Sequence, residues 1–276
     1  MKARDEKYKV LKALHERPGS FVIPNPWNAG TARILAALGF EALATTSAGY
    51  AFATGRCDSA AELTRDEILE NAKSIVEATD LPVSADLQNG YGQAPEVCAS
   101  TIRLAAEAGL AGGSIEDATG DPDHPIYDFQ LAVERIRAAA SAARDCPFLL
   151  TARAENYLYG KPSLDDTIRR LQSFAEAGAD VLYAPGLPSL DAIREICASV
   201  SKPVNALMGA KGAFWSVEEL ESAGVKRISL GGSLARAALG TFIRAAREVR
   251  DKGTFTFAED AISTSELSGC FVSAKR

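Results

Sequence analysis

The chain has 276 residues, 47% hydrophobic and 24% charged, an ordinary globular composition that excludes a disordered chain. Thirty Lys and Arg against 36 Asp and Glu give a net charge of −6, and the basic residues are scattered, so no nucleic-acid partner is expected. No apolar run reaches the ~18 residues of a transmembrane helix, so no membrane association is expected either.

Residues 4–16 have the pattern of a leading helix. Short runs rich in Val, Ile and Leu then recur at 20–24, 41–46, 82–86, 112–116, 147–152, 180–184, 203–207 and 227–230. Their near-continuous apolarity suits strands covered on both faces. Between them lie Ala-rich segments of helical period. Thr64 with Glu67 forms a capping box at the start of one, Leu164-Asp165-Asp166-Thr167 opens another, and Ala108-Gly109, Ala177-Gly178 and Ala223-Gly224 read as helix stops. Residues 254–266 look like a trailing helix. Eight strands alternating with helices predict one (β/α)8 TIM-like barrel domain over 1–276; the alternative is a doubly wound open sheet.

In such a barrel the chemistry sits where strands end. Asp58 lies in the loop after strand two, Asp86 closes strand three, Glu116 and Asp117 close strand four, and Arg153 and Glu155 follow strand five. Acids from successive units should converge on one mouth, where a divalent cation relieves their repulsion and an arginine binds a carboxylate through its fork. With only His15 and His124 in the chain, a His-rich zinc site or a Ser-His-Asp triad has little material, so any metal is a hard cation held by oxygens. The five cysteines are dispersed with no C-x-x-C pair, and Met1–Glu6 carries no apolar signal core. Reduced thiols and a cytoplasmic location are expected.

The strand ends carry recognisable motifs. Pro24-Asn25-Pro26-Trp27-Asn28-Ala29, Thr45-Thr46-Ser47-Ala48-Gly49 and Gly55-Arg56-Cys57-Asp58 come first. Ala85-Asp86-Leu87-Gln88-Asn89-Gly90-Tyr91-Gly92, Ser114-Ile115-Glu116-Asp117 and Ala152-Arg153-Ala154-Glu155 follow. In order and spacing they resemble the isocitrate lyase / phosphoenolpyruvate mutase superfamily, in its carboxyvinyl-carboxyphosphonate phosphorylmutase-like branch. The resemblance implies Mg²⁺, or Mn²⁺ in its place, held by Asp86 directly and by Asp58, Gln88 and Glu116 through water. It implies a 2-oxo acid bound by the amides around Thr45, Thr46, Ser47 and Ala48, with Arg153 stabilising negative charge. It also implies a homotetramer built as a dimer of dimers, with the trailing helix packed on a neighbouring subunit.

Three departures shape the expected function. The second acid of the D-x-D motif is Gln88. The loop after strand four, Ala118 to Tyr127, has no Cys and contains His124 instead, which argues against an isocitrate or methylisocitrate lyase and makes His124 a candidate acid on a closing lid. After strand six stands Ala184-Pro185-Gly186, where the lyases carry Glu and the mutases His. Arg153, Asp58 and His124 are the candidate catalytic residues, and Asn205 at the end of strand seven is a further candidate for substrate contact. The expected activity is Mg²⁺-dependent lyase or decarboxylase chemistry on a small 2-oxo acid or dicarboxylate. Phosphonopyruvate-type P–C or P–O chemistry and a non-catalytic 2-oxo acid binding protein are the alternatives.

Overall fold

The computed structural model describes residues 2–58, 62–210, 212 and 214–273. Its elements run in the order α1 (Lys2–Glu16), β1 (Phe21–Ile23), α2 (Ala29–Ala37), β2 (Leu43–Ala44), α3 (Ser47–Ala53), α4 (Arg65–Ala78), β3 (Val83–Asp86), α5 (Pro95–Glu107), β4 (Gly112–Glu116) and α6 (Phe129–Arg144). There follow β5 (Leu149–Arg153), α7 (Leu164–Ala177), β6 (Val181–Tyr183), α8 (Leu190–Ser199), β7 (Val204–Leu207), α9 (Val217–Ser222), β8 (Arg227–Ser229), α10 (Ser233–Lys252) and α11 (Thr264–Ser273).

All eight expected strands are present, and every pair is parallel. The ladder runs β1-β8-β7-β6-β5-β4-β3-β2. The gap between β1 and β2 is spanned by the Ala44 amide donating to the Pro24 carbonyl at 3.0 Å. Asn25 staples the same seam: its Nδ2 donates to the Thr45 carbonyl at 2.9 Å, and its Oδ1 accepts from the Leu230 and Gly231 amides. The result is the (β/α)8 barrel that the alternation predicts.

The caps follow the sequence signals. The Thr64–Glu67 capping box opens α4, Ser163 caps α7, and Gly178 ends α7 in the left-handed region at φ 109°. The principal core lies between the sheet and the helical ring. A second cluster, Leu11 and Leu14 of α1 with Phe21, Ile23, Ala42, Ala111 and Leu149, closes the bottom of the barrel. His15 belongs to that plug. It packs edge-on against Phe21 at 5.0 Å, and burial pushes its pKa down to about 3, so it stays neutral.

The C-terminal segment differs from expectation. Residues 254–266 do not form one helix. Gly253 ends α10 at φ 65°, and Glu248 then accepts from the Thr254 and Thr256 hydroxyls and from the Thr256 and Phe257 amides. That clamp bends the chain into a 3-10 turn over Thr256–Asp260, and the helix restarts only at Thr264. α11 rests on α2 of its own chain. No helix among the described residues is long and apolar enough to cross a membrane.

Candidate active site

The C-terminal ends of the strands surround a cavity of about 490 Å³. Thr46, Ser47, Ala48, Asp58, Asp86, Gln88, Glu116 and Arg153 line it together. These residues lie on four successive βα connections, and the parallel ladder delivers them to one rim. The β4–β5 register places Glu116 directly beside Arg153.

Asp86 is held from both sides. Its Oδ2 accepts from the Ser47 hydroxyl at 2.8 Å and the Ser47 amide at 3.2 Å, and its Oδ1 accepts from the Gln88 amide at 3.3 Å. A carboxylate oxygen has two lone pairs, so Oδ1, with one donor, keeps one unspent. Gln88 takes a left-handed backbone, φ 48°, a conformation that costs energy for a residue with a Cβ. Its side chain is buried and its Oε1 has no hydrogen-bond partner. The Thr45 to Ala48 stretch is not a plain loop: Thr46 caps α3 by accepting from the Gly49 amide at 3.2 Å. Thr45 lies beneath the cavity floor, where its hydroxyl accepts from the Asp86 amide at 3.0 Å.

Arg153 sits between two carboxylates. Its Nε donates to Glu155, its Nη1 lies 3.3 Å from Glu116 Oε2, and its guanidinium stacks on the Tyr183 ring at 5.0 Å. Burial raises the pKa of Glu116 well above the carboxylate range, with Arg153 opposing that rise. Burial raises Glu155 as well. Loss of surrounding water and the charge of Asp86 raise Asp58 at the rim. Asp117 faces the other way. It accepts from the Glu155 amide and from Arg170 at 3.0 Å, fixing the β4 and β5 ends relative to α7; burial lifts its pKa to about 6.

Besides Thr45, two candidates lie outside this group. His124 is exposed and is not among the cavity-lining residues. An antiparallel bridge between Ala118 and Ile126 folds its loop on itself, and Thr119 donates to the His124 carbonyl. Asn205 is buried with both ends of its amide committed: Nδ2 donates to Ser229 Oγ at 2.9 Å and Oδ1 accepts from Arg227 Nε at 2.8 Å. Its side chain holds the barrel interior beneath the cavity.

Arg236, Tyr159 and Glu155 line the cavity as well. Arg236 comes from the first turn of α10, a segment whose sequence shows only a helix start. Tyr159 follows β5; burial and the nearby Glu116 and Glu155 push its pKa up to about 12. The cavity thus gathers four carboxyl groups, Asp58, Asp86, Glu116 and Glu155, beside two arginines, and burial makes it costly for those acids to ionise together without a cation among them. Among the described residues no three His, Cys, Asp or Glu side chains converge as a ligand set. The donors fit a hard cation bound through one or two carboxylates that keeps most of its waters, as Mg²⁺ does.

The chain belongs to the phosphoenolpyruvate phosphomutase family, which it matches over residues 11–250. It is 27% identical over 264 residues to the 2-methylisocitrate lyase of Escherichia coli (strain K12), covering 93% of this chain and 88% of that one. Among solved structures, a Burkholderia cenocepacia J2315 protein described as a lyase/mutase is 55% identical with a TM-score of 0.95, covering 98% of this chain and 97% of that one. Oxaloacetate acetylhydrolase bound to the inhibitor 3,3-difluorooxalacetate is 25% identical with a TM-score of 0.86, covering 97% and 93%. The superfamily resemblance read from the motifs therefore holds, and its members are lyases and mutases.

Proposed function

We propose that this protein is a Mg²⁺-dependent lyase acting on a small 2-oxo acid or dicarboxylate of the oxaloacetate type, by C–C cleavage or decarboxylation next to the oxo group. The observation that carries the reading is the buried Glu116–Arg153–Glu155 array beside Asp86. Asp86 would hold the cation directly, and Asp58, Gln88 Oε1 and Glu116 would hold its waters; Mn²⁺ suits the same oxygens. The bound metal would supply a Lewis-acid centre for the oxo and carboxylate oxygens of the substrate. Arg153 places fixed positive charge where negative charge develops as the bond breaks, and its two carboxylates hold it there without reorganisation. Ser47 fixes the rotamer of Asp86, and Arg236 at the rim attracts the substrate carboxylate.

The test is oxaloacetate with and without Mg²⁺, following pyruvate and CO₂ on one side and oxalate and acetate on the other, against the metal-only background. Metal-dependent turnover supports the reading. Binding without turnover points to the non-catalytic alternative. The mutase reading has its own support: the family match is to a phosphomutase, and the Gly231-Gly232 turn and Arg236 border the cavity, a setting suited to a phosphonate. Conversion of phosphonopyruvate in preference to oxaloacetate selects it.

We propose further that the protein is a cytoplasmic homotetramer. On α10 only Ala235 is buried, while Phe242 is 69% and Ile243 46% exposed. The segment beyond α10 adds exposed Phe255 and Ile262. Such a run of large apolar groups is suited to covering by a neighbouring subunit.

A further inference from the structure

A second cavity, of about 280 Å³, opens between the ends of β6 and β7 and the start of α8. It shares two wall residues with the charged cavity, Leu158 and Leu207, so the two are neighbours across those side chains. Its character is opposite. Ala184, Leu187, Ile193, Val204, Met208 and Trp215 supply apolar lining. The one amide side chain in its wall, Asn205, has both ends committed to Ser229 and Arg227. No charged side chain lines it among the described residues.

The partition is built to a close fit. Gly186 sits at φ 82°, and a Cβ there would lie 2.8 Å from Leu158 Cδ2 and 3.2 Å from Tyr157 Cβ. The Ala184-Pro185-Gly186 turn therefore packs against Leu158 so closely that a Cβ at residue 186 would force that side chain to shift. Leu158 is nonetheless 50% exposed, a large apolar group standing over a cavity rich in carboxylates. An apolar side chain kept in water there forgoes the favourable free energy of burial, which a ligand covering it would recover.

We infer that this cavity is the subsite for an aliphatic substituent on the substrate. The ligand class is a 2-oxo acid carrying a short alkyl chain at C3, its oxo acid end among Asp86, Arg153 and Arg236 and its alkyl group past Leu158 and Leu207. Unsubstituted oxaloacetate fills only the charged half. The inference rests on the oxo acid reading of the charged cavity and adds the substituent.

The test uses N-alkyl oxamates, planar mimics of a 2-oxo acid in which nitrogen stands for C3, titrated calorimetrically into the full-length protein with magnesium chloride. Burial of each methylene in an apolar site corresponds to about a fourfold gain. From oxamate to N-propyl oxamate the affinity should therefore rise roughly 50-fold. Ala184→Leu, which fills the cavity, should flatten the series, so that N-propyl oxamate binds no tighter than oxamate. If oxamate binds and affinity stays level or falls with chain length in the native protein, the subsite is refuted while the oxo acid reading stands. A series that remains steep in a folded Ala184→Leu variant refutes the location. If neither oxamate nor any derivative binds, the oxo acid reading fails and the subsite with it.

Discussion

Arg153→Lys tests the centre of the site. Lysine keeps the charge and loses the planar fork. In the native site Nε and Nη1 engage different carboxylates, Glu155 and Glu116, and the guanidinium plane lies 5.0 Å from the Tyr183 ring centre. A single ammonium at the end of a flexible stem holds one of those carboxylates in the same geometry, and it does not stack. One charge-assisted hydrogen bond is worth about 1.5–3 kcal/mol, and a stacked cation adds roughly 0.5–1 kcal/mol. The Arg153 side chain is 16% exposed, so solvent screening reduces these figures little. The expected loss is roughly 2–4 kcal/mol of transition-state stabilisation, or ~30–1000-fold in kcat/KM. Because the array acts on developing charge, the loss should fall on kcat more than on KM. The assay is Mg²⁺-saturated turnover of oxaloacetate or its C3-alkyl homologues, with thermal unfolding as a control for folding. A folded variant within threefold of wild type refutes the role given to Arg153.

Asp86→Ala should abolish metal-dependent activity and leave the circular dichroism spectrum unchanged; retained activity with the same Mg²⁺ dependence excludes Asp86 as the direct ligand. Gln88→Asp restores a charge beside the cation and suits the left-handed backbone better, so Mg²⁺ affinity measured by titration calorimetry should tighten about five- to tenfold, about 1 kcal/mol at an intermediate dielectric. An unchanged affinity means that the side chain does not reach the metal's waters. Glu116→Gln should lower kcat and change the pH dependence of stability. Burial raises the folded-state pKa of Glu116 above its ordinary 4.5, so its stabilisation is fully present below that value and is lost as pH rises through the raised one. Without Mg²⁺ the variant should therefore gain on wild type in melting temperature as pH rises from 4.5 to 8, and a constant difference counts against the assignment. Phe242→Glu on α10 should shift sedimentation from tetramer toward smaller species; a native protein that sediments as a monomer at micromolar concentration removes the assembly proposal.

The barrel was legible because its determinants are local. Each strand is a short apolar run entered through a glycine stop, as at Gly109, Gly178 and Gly224, or through a proline, as at Pro82, Pro147 and Pro203, and Gly178 at the end of α7 shows why the stop can be read: the left-handed conformation selects the residue. The end of α10 was less legible. Gly253 announces a stop, but Glu248 clamping the Thr254 hydroxyl and the Thr256 and Phe257 amides, six to nine residues on, is a contact that no periodicity reveals. Asp58, Asp86, Glu116 and Arg153 could be read as one set because parallel strands in register bring consecutive strand ends together.

What stayed hidden was how each side chain spends its bonding capacity. Asp86 ends β3, whereas Asn205, expected at the end of its strand, stands second in β7; both are polar side chains on strands of the barrel, and nothing in their local sequence separates them. Asn205 is consumed by Ser229 and Arg227, partners 24 and 22 residues away that β7–β8 pairing brings alongside. Asp86 keeps a lone pair because Ser47 and the Gln88 amide use only part of its capacity. The same accounting decides His124. An imidazole in a loop after β4 is a reasonable acid, but here His124 is exposed, its carbonyl accepts from Thr119 in a loop closed by the Ala118–Ile126 bridge, and it is not among the residues that line the cavity. A strand-end polar residue thus marks a site only when the fold leaves one of its donors or acceptors unspent. Gln88 Oε1 and Glu155 Oε2, buried and unpaired on either side of Glu116 in the chain, meet that condition, and both residues line the cavity, where the proposed cation's waters and substrate would complete their hydrogen bonding.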